Sequence, residues 1–172
     1  IFYILSFYAC DKNPSINNSI CNNNQLEFIC WDNSIQCSYA DCPNYFNVQI
    51  DETGESTLFI FRDTIAGLNP GDEIGVFDQN GIINENGNIG ALLVGSGVWN
   101  NEQLEIVGVM AQDFSNLGGP ILPGAINSNT AIIKIWNKEN QYLHQEVLNT
   151  VDIGTGTFNA LFTAYSELSI LE

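Results

Sequence analysis

The residues best equipped for chemistry are five cysteines, Cys10, Cys21, Cys30, Cys37 and Cys42, all near the start of the chain. No two form a C-x-x-C pair, and the only imidazole, His144, lies far away in sequence. A thiolate zinc site is therefore not expected. Cysteines clustered in an Asn-rich segment read instead as cystines, which implies an oxidising compartment. Cys21, Cys30, Cys37 and Cys42 would make two bridges, in any of three pairings. Cys10 is then left over.

Oxygen ligands come next. Asp78, Asn80, Asn84 and Asn86 sit on two turn-like stretches, Asp78-Gln79-Asn80-Gly81 and Asn84-Glu85-Asn86-Gly87-Asn88. A hard cation such as calcium wants oxygens on tight turns of this kind. An EF-hand is excluded, because counting from Asn84 places Ile89 and Gly95 where glycine and a bidentate glutamate belong. Asn-Gly is also the strongest hairpin signal, so the same residues have a purely structural reading. No cofactor is required by the sequence, and calcium is the one it suggests.

Catalytic chemistry finds little to work with. Ser96, in Gly95-Ser96-Gly97, lacks the spacing of a nucleophile elbow, and His144 falls in an alternating stretch where a surface position is expected. A glycosidase pair of carboxylates cannot be singled out among 20 acidic residues. No phosphate-cradling loop is present. Trp31, Trp99 and Trp136 could stack on sugar rings, although core and interface tryptophans are commoner. Asn17-Asn18-Ser19 fits a glycosylation sequon. We therefore expect a protein that is not an enzyme.

The elements that would carry these residues are short β-type runs between Gly, Asn and Pro punctuation. The pattern predicts strands at Phe46–Ile50, Ser56–Arg62, Glu73–Phe77, Gly90–Trp99, Gln103–Ala111, Thr130–Trp136, Tyr142–Asn149 and Thr157–Ile170. Turns are expected at Asn80-Gly81, Asn86-Gly87, Asn137–Asn140 and Gly154-Thr155-Gly156. Ala131, Ile133 and Ile135 alternate with Lys134, and Glu105 interrupts Leu104 and Ile106, as half-buried strands require. No window has a capped helical period. The expected fold is all-β, an antiparallel β-sandwich of jelly-roll or Ig-like type with a disulfide-stapled N-terminal extension.

Lys and Arg number 4 against 20 Asp and Glu, a formal charge of −16. That field repels nucleic acid and anionic lipid. No stretch reaches the roughly 20 apolar residues of a membrane span.

The leading run, Ile1, Phe2, Tyr3, Ile4, Leu5, Ser6, Phe7 and Tyr8, is apolar and aromatic throughout apart from its serine. Three fates are open to it. With Ala9 and Cys10 it could be a lipoprotein leader, although Phe7 and Tyr8 are bulky for one. It could be a strand of its own domain. Or it could complete the sheet of a neighbouring copy, which repeated head to tail gives an open filament. Burying its large side chains would contribute on the order of 10 kcal/mol before ordering costs. The third reading is the one adopted.

The segment Leu68-Asn69-Pro70-Gly71-Asp72-Glu73-Ile74-Gly75-Val76-Phe77-Asp78, the return run Gly90–Gly95 and Lys134-Ile135-Trp136-Asn137 carry a resemblance. So do the upstream Cys30-Trp31-Asp32-Asn33-Ser34 and Cys37–Pro43. Together, from about Cys30 to Asn137, they resemble a β-sandwich module of secreted surface proteins of Bacteroidota and related marine bacteria, with its cysteine-bearing linker. The resemblance implies extracellular or cell-surface placement and attaches no activity.

The domain organisation expected is an apolar strand at 1–10, donated to a neighbouring subunit, a Cys/Asn-rich connector at 11–45 and a β-sandwich at 46–172. The expected function is a structural subunit of an extracellular or cell-surface filament. Its partners would be copies of itself. The alternative is a monomeric, surface-attached module that binds a glycan or calcium.

Overall fold

The structure is a computed structural model and describes Cys21 and residues 27–145, 147–159 and 161–170. The apolar run, Cys10 and the sequon at Asn17 lie outside the described residues.

Two four-stranded sheets face each other. The first contains β3 (Ser56–Phe61), β6 (Leu104–Val109), β11 (Val147–Ile153) and β12 (Phe162–Ile170), in the order β11-β12-β3-β6. The second contains β4 (Glu73–Ile82), β5 (Ile89–Val98), β9 (Ala131–Asn137) and β10 (Tyr142–His144), in the order β10-β9-β4-β5. The remaining pairs are two-residue ladders: β1 (Phe28–Ile29) with β2 (Ile35–Gln36), and β7 (Gln112–Asp113) with β8 (Ile121–Leu122). Apart from an isolated parallel bridge between Met110 and Ala125, all pairings between these strands are antiparallel except β12 with β3. Parallel neighbours cannot be joined by a tight turn. Here the chain between them builds the whole second sheet.

The period-2 pattern explains the core. Phe59 and Phe61 of β3, Ile74 and Val76 of β4, Ile106 of β6, Ile133 and Ile135 of β9 and Tyr165 of β12 are all buried between the sheets. Phe61 stacks on Tyr165 at 5.2 Å, and Phe59 meets Phe158 edge-on at 5.5 Å. The polar partners face out: Glu105 is exposed, and Lys134 Nζ sits 4.6 Å over the Phe77 ring.

Four local expectations are corrected. Phe46–Ile50 is not a strand; the N–H groups of Tyr45 and Phe46 donate to the Glu73 carboxylate instead of to a sheet ladder. Asn80-Gly81 is not a turn. The Asp78 side chain accepts the Asn80 N–H, a register shift absorbs the extra residues, and β4 runs on to Ile82, where it bonds Gly124 in both directions. The reversal comes at 84–88, where Asn84 Oδ1 accepts from Asn86 and Asn88 and Gly87 takes a left-handed φ of 74°. Tyr142–Asn149 is two strands, because the chain leaves the second sheet after His144 and joins the first at Val147. Finally, β12 begins only at Phe162; Thr157 makes an isolated bridge to Thr130 and Phe158 turns into the core.

The described part of the connector, Cys21 and residues 27–45, is held by two bridges. Disulfides join Cys21 to Cys37 and Cys30 to Cys42. Between them, β1 and β2 close around Asn33, at φ 65°, with Asp32 accepting the Ser34 N–H. Among the described residues no helix is long and apolar enough to cross a membrane.

Candidate functional site

Two regions stand out: the outer face of the second sheet, where the connector docks, and the lateral side of the sandwich where β10 gives way to β11.

On the outer face, Glu73, Gly75 and Phe77 alternate with the inward Ile74 and Val76. Tyr45 lays its ring flat on Trp136, with centroids 3.9 Å apart and planes within 5°. Trp31 and Phe46 meet Tyr45 edge-on at 5.2 and 5.3 Å, and Phe46 meets Phe77 at 5.7 Å. Gly75 makes this possible: a Cβ there would lie 3.0 Å from the Phe46 ring and 2.9 Å from Phe77. Glu73, 1% exposed, accepts the N–H groups of Tyr45 at 2.9 Å and Phe46 at 3.0 Å. Burial pushes its carboxyl above the ordinary value, while those two hydrogen bonds and the charge of Lys138 pull the other way. Its neighbour Asp72, also buried, accepts from Asn69 and from the Lys138 backbone. Asp72 and Glu73 thereby tie the start of β4 to Asn69, Lys138 and the connector.

The proposed calcium ligands are placed as follows. Asp78 is buried at 1% exposure. Its Oδ1 accepts from Asn80 N and Asn129 Nδ2, and its Oδ2 from Ile126 N and Asn129 Nδ2, at 2.8 to 2.9 Å. Each oxygen thus already holds two donors, and Asp78 ties β4 to the loop before β9. Asn80 contributes its N–H to that network. Asn84 and Asn86 belong to the exposed hairpin turn, where Asn84 Oδ1 serves its own loop. The structure brings Asp78 together with Asn129, a partner that sequence spacing had no means of identifying.

The tryptophans divide. Trp99 is buried, its indole N–H donating to Asn101 Oδ1, and Trp136 is covered by Tyr45, so neither presents a face to a sugar. Trp31 keeps 41% exposure, with its N–H given to the Pro43 carbonyl. Ser96 donates to the Phe46 carbonyl. His144 is half-buried on β10, edge-on to Tyr142 at 4.9 Å. None of these forms a nucleophile–base pair among the described hydrogen bonds.

The lateral side has a different character. The β10 strand pairs with β9 only at Ile135–Asn137, so Ile132, Ile133 and Lys134 have no strand beside them on that side among the described residues. The gap is a groove of about 400 Å³ walled by Ala131, Ile132, Ile133, Val147 and Leu148, with the polar Thr130, Gln145 and Asn149 also lining it. The outer edge of β11 borders it. Along β11 the sole ionisable side chain, Asp152, is paired with Arg62.

Comparison with family models, with curated proteins and with solved structures finds no match to this chain.

Proposed function

We propose that this chain is a non-enzymatic structural subunit of an extracellular filament, polymerising by donation of its apolar segment Ile1–Tyr8 to the sheet of the next copy. The observation that carries the reading is a complementarity within one sequence. The chain holds an uncharged, aromatic-rich segment that needs burial, and it also holds a seven-residue edge strand, β11, with no strand on its outer side among the described residues. Strand addition joins such features, since backbone hydrogen bonds supply affinity and alternate side chains supply specificity.

Other features agree with it. The two cystines fit an oxidising compartment. The described part of the connector is anchored to the sandwich, and residues 9–20 separate the segment from Cys21 in sequence. Twelve residues reach at most about 40 Å when extended, enough to pass to a neighbouring molecule. The high negative charge opposes random clumping and leaves association to the uncharged surfaces.

The test is sedimentation and negative-stain microscopy of the whole chain and of a form lacking residues 1–8. Fibres from the first and soluble monomers from the second are expected. Fibres persisting after the deletion, or a whole chain that stays monomeric at high concentration, would refute the proposal.

A further inference from the structure

We infer that the acceptor for the donated segment is the lateral side at β11: Ile1–Tyr8 of a neighbouring copy pairs with the outer edge of β11 and drops alternate side chains into the groove beside Ala131 and Ile133. This inference rests on the filament reading above and adds the site.

Of the two lateral sides of the sandwich, one is closed. Where β5 meets β6, Gly95 and Gly97 let the sheets approach so nearly that a Cβ on Gly95 would lie 2.6 Å from the Val107 carbonyl oxygen. Nothing the width of a strand enters there. Among the described residues the opposite side is open, because β10 is three residues long while β9 is seven. Past His144 the next strand, β11, belongs to the other sheet, so on that side Ile132, Ile133 and Lys134 have no strand beside them among the described residues, and a cleft lies between the sheets. The Ala131 N–H bonds the Gly156 carbonyl and closes the far end of the cleft.

The edge is lightly defended: it has no lysine or proline, its one charge, Asp152, is paired with Arg62, and register shifts interrupt its ladder to β12 only from Thr150 onward. Long edge strands normally carry lysines, prolines or inward charges that discourage pairing. In β11, Leu148, Asn149 and Thr150 are exposed and uncharged, Leu148 at 58%. Val147 and Val151 pack towards the core and form the floor. Lengths match as well, with seven residues of edge against eight of donor, about 23 to 26 Å of strand. In an extended donor, one alternate set is Ile1, Tyr3, Leu5 and Phe7, whose only polar atom is the Tyr3 hydroxyl; it suits a cleft walled by Ile133, Val147 and Leu148 with Thr130, Gln145 and Asn149 as polar partners. The uncharged donor also meets no net repulsion from a strand whose sole charge is already paired.

The experiment measures backbone hydrogen exchange of Val147–Ile153 in wild-type polymer and in the monomer lacking residues 1–8. It also compares polymer yield for a Leu148→Lys, Asn149→Lys double variant of the whole chain. Both positions are exposed, so the monomer should melt like wild type. Support is at least tenfold slower exchange along β11 in the polymer, together with at least a tenfold loss of sedimenting material in the variant. If polymer forms, vanishes on deleting residues 1–8, yet leaves β11 exchange unchanged and tolerates both lysines, the acceptor site is wrong while the filament reading stands. If the wild-type chain forms no polymer, or the deletion does not abolish it, both are overturned.

Discussion

The carboxylate of Glu73 accepts the backbone N–H of Phe46 at 3.0 Å, across 27 residues of sequence, and in doing so fastens the cystine-bound connector to the sandwich. A second bond from Tyr45 doubles the clamp, and the aromatic stack on Trp136 covers it.

Removing that carboxylate should release the connector. Glu73→Ala orphans two N–H groups at a buried site and should cost about 2–4 kcal/mol. Glu73→Gln keeps one acceptor and should cost less. The folded-state carboxyl lies above its unfolded value, so its contribution is complete below the unfolded pKa, about pH 4, and declines as pH rises through the folded value. The stability gap between wild type and Glu73→Gln should therefore narrow between about pH 4 and pH 7, measured by urea unfolding. A gap that widens over that interval would reverse the assignment.

Tyr165 is fully buried, and its hydroxyl has no hydrogen-bond partner among the described residues. Burial raises its pKa to about 12. Tyr165→Phe keeps the ring stack on Phe61 and discards an unpaired polar atom, so it should be neutral or stabilising by up to about 1 kcal/mol at neutral pH. Because the folded value is the higher one, the contribution is intact below about pH 10 and is lost as pH rises through about 12. Denaturation midpoints near pH 9 and pH 11 should show wild type falling away from the phenylalanine variant.

Gly95 marks the closed side of the sandwich. Gly95→Ala places a methyl 2.6 Å from the Val107 oxygen and 2.8 Å from Ile106, contacts that only a backbone shift can relieve. A loss of about 1–3 kcal/mol is expected from chemical denaturation, the usual scale of overpacking. A neutral result would mean that β5 and β6 stand further apart.

The Cys30–Cys42 bridge closes a loop of sequence separation 12. Replacing both cysteines with serine should weaken the connector by about 3 kcal/mol through loop-closure entropy. Protease should then cut within residues 27–44 while the sandwich, whose core shares no residue with the bridge, keeps its melting temperature. Limited proteolysis with mass spectrometry reads the site of cleavage.

Asp78→Ala should be among the costlier single changes, because it strips Asn80, Ile126 and Asn129 of their common acceptor. A loss of about 2–4 kcal/mol is expected by urea unfolding. A neutral substitution would show that the loop before β9 holds its place without this carboxylate.

The all-β class, most strand positions and the cystine character of the early cysteines were legible in the residues, because alternation and turn chemistry act over two to five neighbours. Ala131, Ile133 and Ile135 needed only their own spacing to be placed inside. Sheet membership was not legible in this way. Tyr142–Asn149 reads as one strand, since nothing local records that β9 has room for three residues of β10 and no more. Nor could spacing foretell that Glu73 would hold Phe46, or that Asp78 would meet Asn129 and the Ile126 N–H. A carboxylate's role depends on which donors arrive beside it, and those donors come from distant parts of the chain. The sequence alone determined that this would be an acidic, cystine-stapled β-sandwich with an apolar run at Ile1–Tyr8. Only the tertiary structure decided which side of the sandwich closes and which is open among the described residues, because that follows from long-range contacts between whole sheets.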